Sequence, residues 1–438
     1  MTAVDLLPRH DQANGWLEIL PPLPEPRILD TGIEADHVVV GAGFGGLAAA
    51  RRLAELLPEA AIALIDAGRV GNNAAGRCSG FIIDHAHNIR AKGFAADPDS
   101  ARMGIALNRA GLDWLAEIVR HEAIDCEWEP IGKIHAAASA KGVAELESFA
   151  ASLDAVDERH STLDGAEMEA LCGTRFYRAG LLAPHTVLVQ PAALVVGLAA
   201  SMPANVTVYE DSPVTGFDPG PPHRLTTRRG SARTPSLILA ANGFGAGFGF
   251  FTRHLVPLIT WASLTRELTD AELGRLGGAE SYGIIPAHPA GTTVRRTSGR
   301  RILIRNQYTY SRGSDATTGK TRVARIHRRS FEARFPMLAE VEFEFTWGGA
   351  LSLSRNGAGV CGEIAPGIHA TMVYQGTGMA KGTISGKYLA ESMVGDSPRL
   401  LSALTSGGSP SRNFPEPLNG WGVRLNTRWR RWQAGAEE

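Results

Sequence analysis

Residues 35–50 read ADHVVVGAGFGGLAAA. An apolar run enters a cluster of glycines, and the glycines enter a run of alanines. That order predicts a strand, a tight turn and a helix. Gly41, Gly43 and Gly46 satisfy G-x-G-x-x-G. In that pattern the first glycine permits the turn, the second lets a pyrophosphate approach the backbone, and the third lets the helix pack close to the strand. Gly45 stands beside them at the head of the helix, whose free N–H groups and positive dipole end suit phosphates. The helix is predicted to stop near Pro58, and AAIALIDAG (60–68) follows as a second apolar strand. It ends in Asp66, 20 residues beyond Gly46, where a carboxylate can accept hydrogen bonds from an adenosine ribose. Turn, helix and acidic strand end together predict a dinucleotide site. The acidic residue disfavours a 2′-phosphate, so FAD or NAD is preferred over NADP.

At 438 residues the chain exceeds one small core, and two interleaved or sequential domains are expected. A net charge of −1 excludes a nucleic-acid or anionic-membrane partner recruited by bulk charge. Cys78, Cys126, Cys172 and Cys361 are widely spaced, which argues against a disulfide framework or structural zinc site and suits a reducing cytoplasm. No signal peptide is read at the N-terminus, and no apolar run approaches the roughly 20 residues of a membrane span.

After Asp66 and Ala67 comes GRVGNNAAGRCSGFIIDHAHN (68–88), rich in small and polar residues. Such a loop can wrap a long ligand. Arg77 and Ser79 could bind phosphate oxygens, and Gly80 could let backbone lie near a ring. Here the sequence resembles the FAD-dependent D-amino-acid oxidase superfamily, with a look closest to its γ-glutamylputrescine oxidoreductase-like members. Four further blocks recur in the family's order. LVQPAALVVGLAASMPANVTVYEDSPVTGFD (188–218) carries Val214 at the position that holds the adenine end. SLILAANGFGA (236–246) resembles the strand that closes over the nucleotide, with Ala240, Ala241 and Gly243. FEFTWGGALSLS (343–354) resembles the tryptophan–glycine strand entering the flavin site through Trp347 and Gly348. GIHATMVYQGTGMAKGTISGKYLAESM (367–393) resembles the strand–glycine–helix placed under the isoalloxazine, with Gly376, Thr377, Gly378 and Met379 at its turn. Lys381 opens that last helix, whose positive end could stabilise negative charge on the ring.

The resemblance implies an α/β fold: a Rossmann-type FAD-binding domain (35–90, 186–251 and 344–395) with an inserted mixed-sheet substrate domain (91–185 and 252–343). Residues 1–34 and 396–438 read as accessory arms, and Trp421, Trp429 and Trp432 are expected to dock the second arm onto the body. FAD is expected to be non-covalent, because Thr346, Trp347 and Gly348 stand where some sarcosine oxidases carry an attaching cysteine, although Cys78 belongs to the expected flavin contacts.

The resemblance also implies oxidation of a C–N bond: an amine or amino acid delivers hydride to flavin N5, the imine hydrolyses, and dioxygen or another acceptor takes the electrons. Asp84 could pair with a cationic amine and His87 could accept its proton. Arg295 and Arg305 on predicted roof strands could clamp a substrate carboxylate, and Tyr374 could line the cavity. His85 and His87 are not read as metal ligands, since no further ligand cluster accompanies them. The substrate stays open between a γ-glutamyl-polyamine-like amine and a D-amino acid, glycine or sarcosine. A structural, non-catalytic FAD is the reading from another class. Oligomeric state is not legible.

Overall fold

The computed structural model describes residues 2–9, 14–85 and 97–438. Its organising layer is a six-stranded sheet in the order Val206–Tyr209, Ile62–Ile65, His37–Val40, Ser236–Leu239, Ile368–Met372, Val360–Ala365. The first five strands are parallel and the last is antiparallel. Val38, Val39, Leu64, Ile65, Leu237 and Ile238 are fully buried, as a parallel sheet covered on both faces requires. The helix Phe44–Leu56 follows the central strand, and the late helix Gly378–Met393 packs against it. Both begin at the carboxyl end of the sheet, where open α/β sheets hold ligands.

A second, eight-stranded sheet runs Phe343–Ser354, Leu255–Thr265, Ile302–Tyr310, Thr293–Arg296, Tyr282–Pro286, Lys133–Ala137, Ala179–Ala183, Ser161–Asp164. Tyr282–Pro286 and Lys133–Ala137 pair in parallel; the other neighbours are antiparallel. The α/β class with a Rossmann-type sheet and a separate mixed sheet is thus present. One boundary shifts: Phe343–Ser354, grouped above with the 344–395 segment, pairs along its whole length with Leu255–Thr265 and belongs to the mixed sheet.

The terminal segments also differ from accessory arms. Trp16, on the short helix Gly15–Glu18, is fully buried among Ala192, Ala262, Leu264, Leu303 and Trp347. Its indole donates to Cys78 O at 2.8 Å, and Asn14 Nδ2 donates to Gly71 O at 2.9 Å and Gly76 O at 3.2 Å. The N-terminal segment therefore props the loop after Asp66 against the mixed sheet. At the other terminus Glu437 is buried, and its carboxylate accepts from the N–H groups of Ala138 and Ser139 at 3.0 Å.

Trp16→Ala is expected to destabilise the protein by about 3–5 kcal/mol, the usual cost of truncating a buried large aromatic. Chemical denaturation of the wild type and the variant measures it; a change within error would show that the segment is dispensable.

Candidate active site

Two adjoining cavities lie between the carboxyl end of the six-stranded sheet and the mixed sheet, sharing Gly43, Ala74, Ala75, Ala240, Asn242, Ala350 and Ser352. Together they form one elongated site. The first half is bounded by Gly41, Asp66, Ala67, Val214, Ala241 and Gly243. The second is bounded by Gly45, Arg77–Gly80, Gly376, Gly378 and Met379 on one side and by strands of the mixed sheet on the other.

The glycines divide by role. Gly41 has φ +107° and lies where a Cβ would stand 2.7 Å from Ala240 O. At Gly46 a Cβ would run into the Gly41 carbonyl, so this position serves packing and does not line the site. Gly43 is extended, and an added Cβ would meet only Ala75 Cβ, at 3.8 Å. The protein itself thus leaves room for a side chain at Gly43.

Neither helix that opens onto the site is capped by a side chain. Gly43 precedes Phe44–Leu56 and Thr377 precedes Gly378–Met393, and neither makes a side-chain cap hydrogen bond. Thr377 Oγ1 donates instead to Tyr374 O at 2.9 Å. The first N–H groups of both helices remain available to an anion. Lys381 lies in the first turn of the later helix. Burial lowers its pKa, and it lines neither cavity.

Asp66 takes the Ala42 N–H at 2.7 Å on Oδ2 and the Gly68 N–H at 3.0 Å plus the Asn73 amide on Oδ1. Burial pushes its carboxyl up, opposed by those N–H donors. A carboxylate offers about four acceptor positions, so acceptor capacity remains on Oδ2 for a ribose hydroxyl.

Several expected side chains take other duties. The Arg77 guanidinium donates to Asn72 O at 2.6 Å, Asn72 Oδ1 at 2.9 Å and Gly348 O at 3.0 Å. It ties its loop to the tryptophan–glycine strand instead of presenting itself to a phosphate. Burial raises the Cys78 thiol, which stays protonated and points to Ala75 O at 3.3 Å. Ser79 lines the site. The Tyr374 ring lines it too, but its hydroxyl is turned to Thr371 O at 2.7 Å.

The two roof arginines separate. Thr293, Arg305 and Ala262 form one cross-strand row facing the site. Arg305 Nε donates to Thr260 Oγ1 at 2.9 Å, and its guanidinium lies 4.8 Å from the Tyr308 ring centre. Its terminal nitrogens make no hydrogen bond among the described residues. A register shift between Thr260 and Trp261 re-aims this strand, so that Thr260, Trp261 and Ala262 all reach the site. Arg295 sits one row further along the same face, beside Leu303, and that row is covered by Trp16. It is fully buried, donates to Val189 O, and lies 3.8 Å from Glu129 and 4.0 Å from Glu127. The expected substrate role of Arg295 is corrected to a structural one.

Asp84 is likewise corrected. It is fully buried, lines neither cavity, and pairs with Arg109 Nη2 at 3.0 Å. Burial opposes its charge, but His85, Lys133 and Arg109 outweigh that and hold the carboxyl below the usual range. His87 lies outside the described residues. Among the described residues, no carboxylate or imidazole lines the inner cavity. Leu6, Leu7 and Pro8, close to the N-terminus, line the outer one, and no local pattern in the sequence announces them.

A family model described as DAO, FAD dependent oxidoreductase, matches residues 36–392. The chain is 25% identical over 387 residues to a probable oxidoreductase OrdL of Haemophilus influenzae, covering 84% of each protein. It is 24% identical over 377 residues to gamma-glutamylputrescine oxidoreductase of Escherichia coli, covering 85% of this chain and 86% of that one. Among solved structures it is similar to glycine oxidase from Geobacillus kaustophilus, with a TM-score of 0.72, 17% identity, and coverage of 87% of this chain and 100% of that one. FAD fits the joined cavities: uncapped helix ends stand at both, the space at Gly43 is free, and nothing lies within 4 Å of a Cβ built at Gly376.

Gly43→Val is expected to fold with wild-type secondary structure yet fail to retain FAD, because its side chain fills space the protein leaves open. FAD content and circular dichroism check this; a variant purifying with full FAD would show the turn misread. Asp84→Asn removes a stabilising charge whose contribution is present above the unfolded carboxylate pKa of about 4 and is lost as pH falls through the lower folded value. Its melting temperature should fall below wild type near neutrality, with the gap closing in acid, while FAD content stays unchanged.

Proposed function

The chain belongs to the DAO family of FAD-dependent oxidoreductases, and we propose that it oxidises the carbon–nitrogen bond of an amine that also bears a carboxylate. The observation carrying this reading is Arg305, whose terminal nitrogens are the cationic donors open to the inner cavity among the described residues. A guanidinium presents a planar fork that matches a carboxylate bidentately. FAD, when bound, would supply the acceptor for the hydride, which carries both electrons of such an oxidation, while the amine nitrogen gives up a proton.

The protein's own part is binding, orientation and exclusion of water. Arg305 fixes the acid end of the substrate beneath the mixed sheet. Phe81, Ile83, Trp261 and Ile285 wall the remainder with apolar surface. An ammonium loses hydration there without meeting a carboxylate among the described residues, so the site favours the neutral amine, the form able to release hydride. The uncapped end of Gly378–Met393, with Lys381 in its first turn, supplies positive potential from below. Glycine and a γ-glutamyl amine both carry an oxidisable amine and a carboxylate, at very different separations along the chain. These are the substrate types in the names of the Geobacillus and Escherichia relatives.

Anaerobic mixing with a panel of amines tests the reading. Carboxylate-bearing amines should bleach the flavin, with rates that rise with pH as the substrate amine deprotonates. Arg305→Met should raise the KM for them by roughly 10- to 150-fold, the worth of about 1.5–3 kcal/mol for a charged hydrogen-bonding pair. Carboxylate-free amines should be equally poor substrates of both proteins. A flavin that no amine bleaches would mark its role as structural, and an unchanged KM would remove Arg305 from the substrate site.

A further inference from the structure

The C-terminal helix Leu418–Ala434 is mounted with its apolar face outward. Gly420 and Ala434 are buried and Val423 and Thr427 half-buried, all on the side facing the body. On the opposite side Leu418, Trp421, Leu425, Trp429 and Trp432 are 55–78% exposed. Their spacing of three, four, four and three residues confines them to a stripe about 80° wide on a helix of 3.6 residues per turn. The expectation that these tryptophans dock onto the body is therefore overturned: small and polar side chains make the docking face. Phe414, 63% exposed, stands just before the helix.

The helix is not a loose tail. Tyr310 donates to Glu416 at its start, and Asn419 Nδ2 approaches Tyr310 Oη at 3.3 Å. Beyond its end, Arg334 Nη2 donates to Glu437 O at 3.0 Å. The outward stripe is a fixed feature of the surface, and an exposed apolar face of this kind marks an interaction site.

Charge indicates what covers it. The helix contains Arg424, Arg428, Arg430 and Arg431 and no acidic residue, in a chain whose net charge is −1. Arg431 is paired with Glu438 at 2.7 Å and Arg424 lies 5.4 Å from the Tyr310 ring. Arg428 is exposed at the edge of the stripe, and Arg430 is exposed on the flank of the helix about 100° from the stripe's other edge. A second copy placed on the same face would set two strongly cationic helices against each other, and such like-charge contacts cost several kcal/mol. Tryptophan rings prefer the headgroup level of a bilayer, and arginines beside an apolar stripe add attraction to anionic lipid. We propose that this helix docks the protein on the surface of an anionic lipid bilayer, lying in the interface without crossing it. No helix among the described residues is long and apolar enough to span a membrane.

The test is flotation of the full-length holoprotein with vesicles of phosphatidylcholine alone and of phosphatidylcholine mixed with phosphatidylglycerol, at low and high salt. Wild type should float with the anionic vesicles at low salt and be released by high salt. The double variant Arg428→Glu, Arg430→Glu should bind anionic vesicles at least about tenfold more weakly, given roughly 1 kcal/mol per basic residue at such a surface, and the triple variant Trp421→Ser, Trp429→Ser, Trp432→Ser should also lose binding, because it removes the apolar anchors. FAD content in both should equal wild type, which reports an intact fold. Wild type that ignores anionic vesicles, or binds both vesicle types equally, overturns the proposal. So does a dimer in sedimentation that the tryptophan variant abolishes, since that would assign the stripe to a second copy.

Discussion

Two helices begin at the same place without side-chain caps, and the rest of the molecule is arranged around that shared deficit of acceptors. Phe44–Leu56 starts at Gly43 and Gly378–Met393 starts at Thr377, both at the carboxyl end of one parallel sheet. Each leaves backbone N–H groups for an anionic or electron-rich ligand. The parallel register of His37–Val40 with its neighbours sets the first helix, and that of Ile368–Met372 sets the second. Among the described residues, no cationic side chain lines the outer cavity. Arg77, the one positioned by sequence to hold the phosphates, is hydrogen-bonded to Asn72 and Gly348 instead.

The mixed sheet closes the other side, and its shape depends on a segment far away in sequence. Trp16 covers the row of the sheet that carries Leu303 and Leu264, and the cavity takes the adjacent row with Thr293, Arg305 and Ala262. The division between core and site is thus one residue pair wide. Arg295 falls on the covered side and Arg305 on the open one. Fold and chemistry meet there, since the same N-terminal segment also hydrogen-bonds the loop of Gly71–Cys78 that bounds the ring end of the site.

What the sequence disclosed follows from how local each feature is. Gly41, Gly43, Gly46 and Asp66 sit within one strand–helix–strand unit, so their pattern is legible without tertiary knowledge. The glycine turn at Gly376–Gly378 is legible for the same reason. Arg295 and Arg305 are indistinguishable as strand arginines, because their fates are decided by where Trp16 docks. Asp84 follows directly on the flavin loop, yet its side chain turns to Arg109 on the helix Pro98–His121. Leu6, Leu7 and Pro8 reach the outer cavity through a fold-back that no spacing encodes. In the C-terminal helix the aromatic periodicity is plain, but a helical stripe does not say which of its faces meets the protein.

The most direct measurement of the central claim is a crystal structure with FAD bound. The pyrophosphate should lie against the N–H groups at the start of Phe44–Leu56, and the isoalloxazine should set its polar edge at Gly376–Met379. A pyrophosphate held instead by the Arg77 guanidinium, or a ring turned away from the start of Gly378–Met393, would contradict the account.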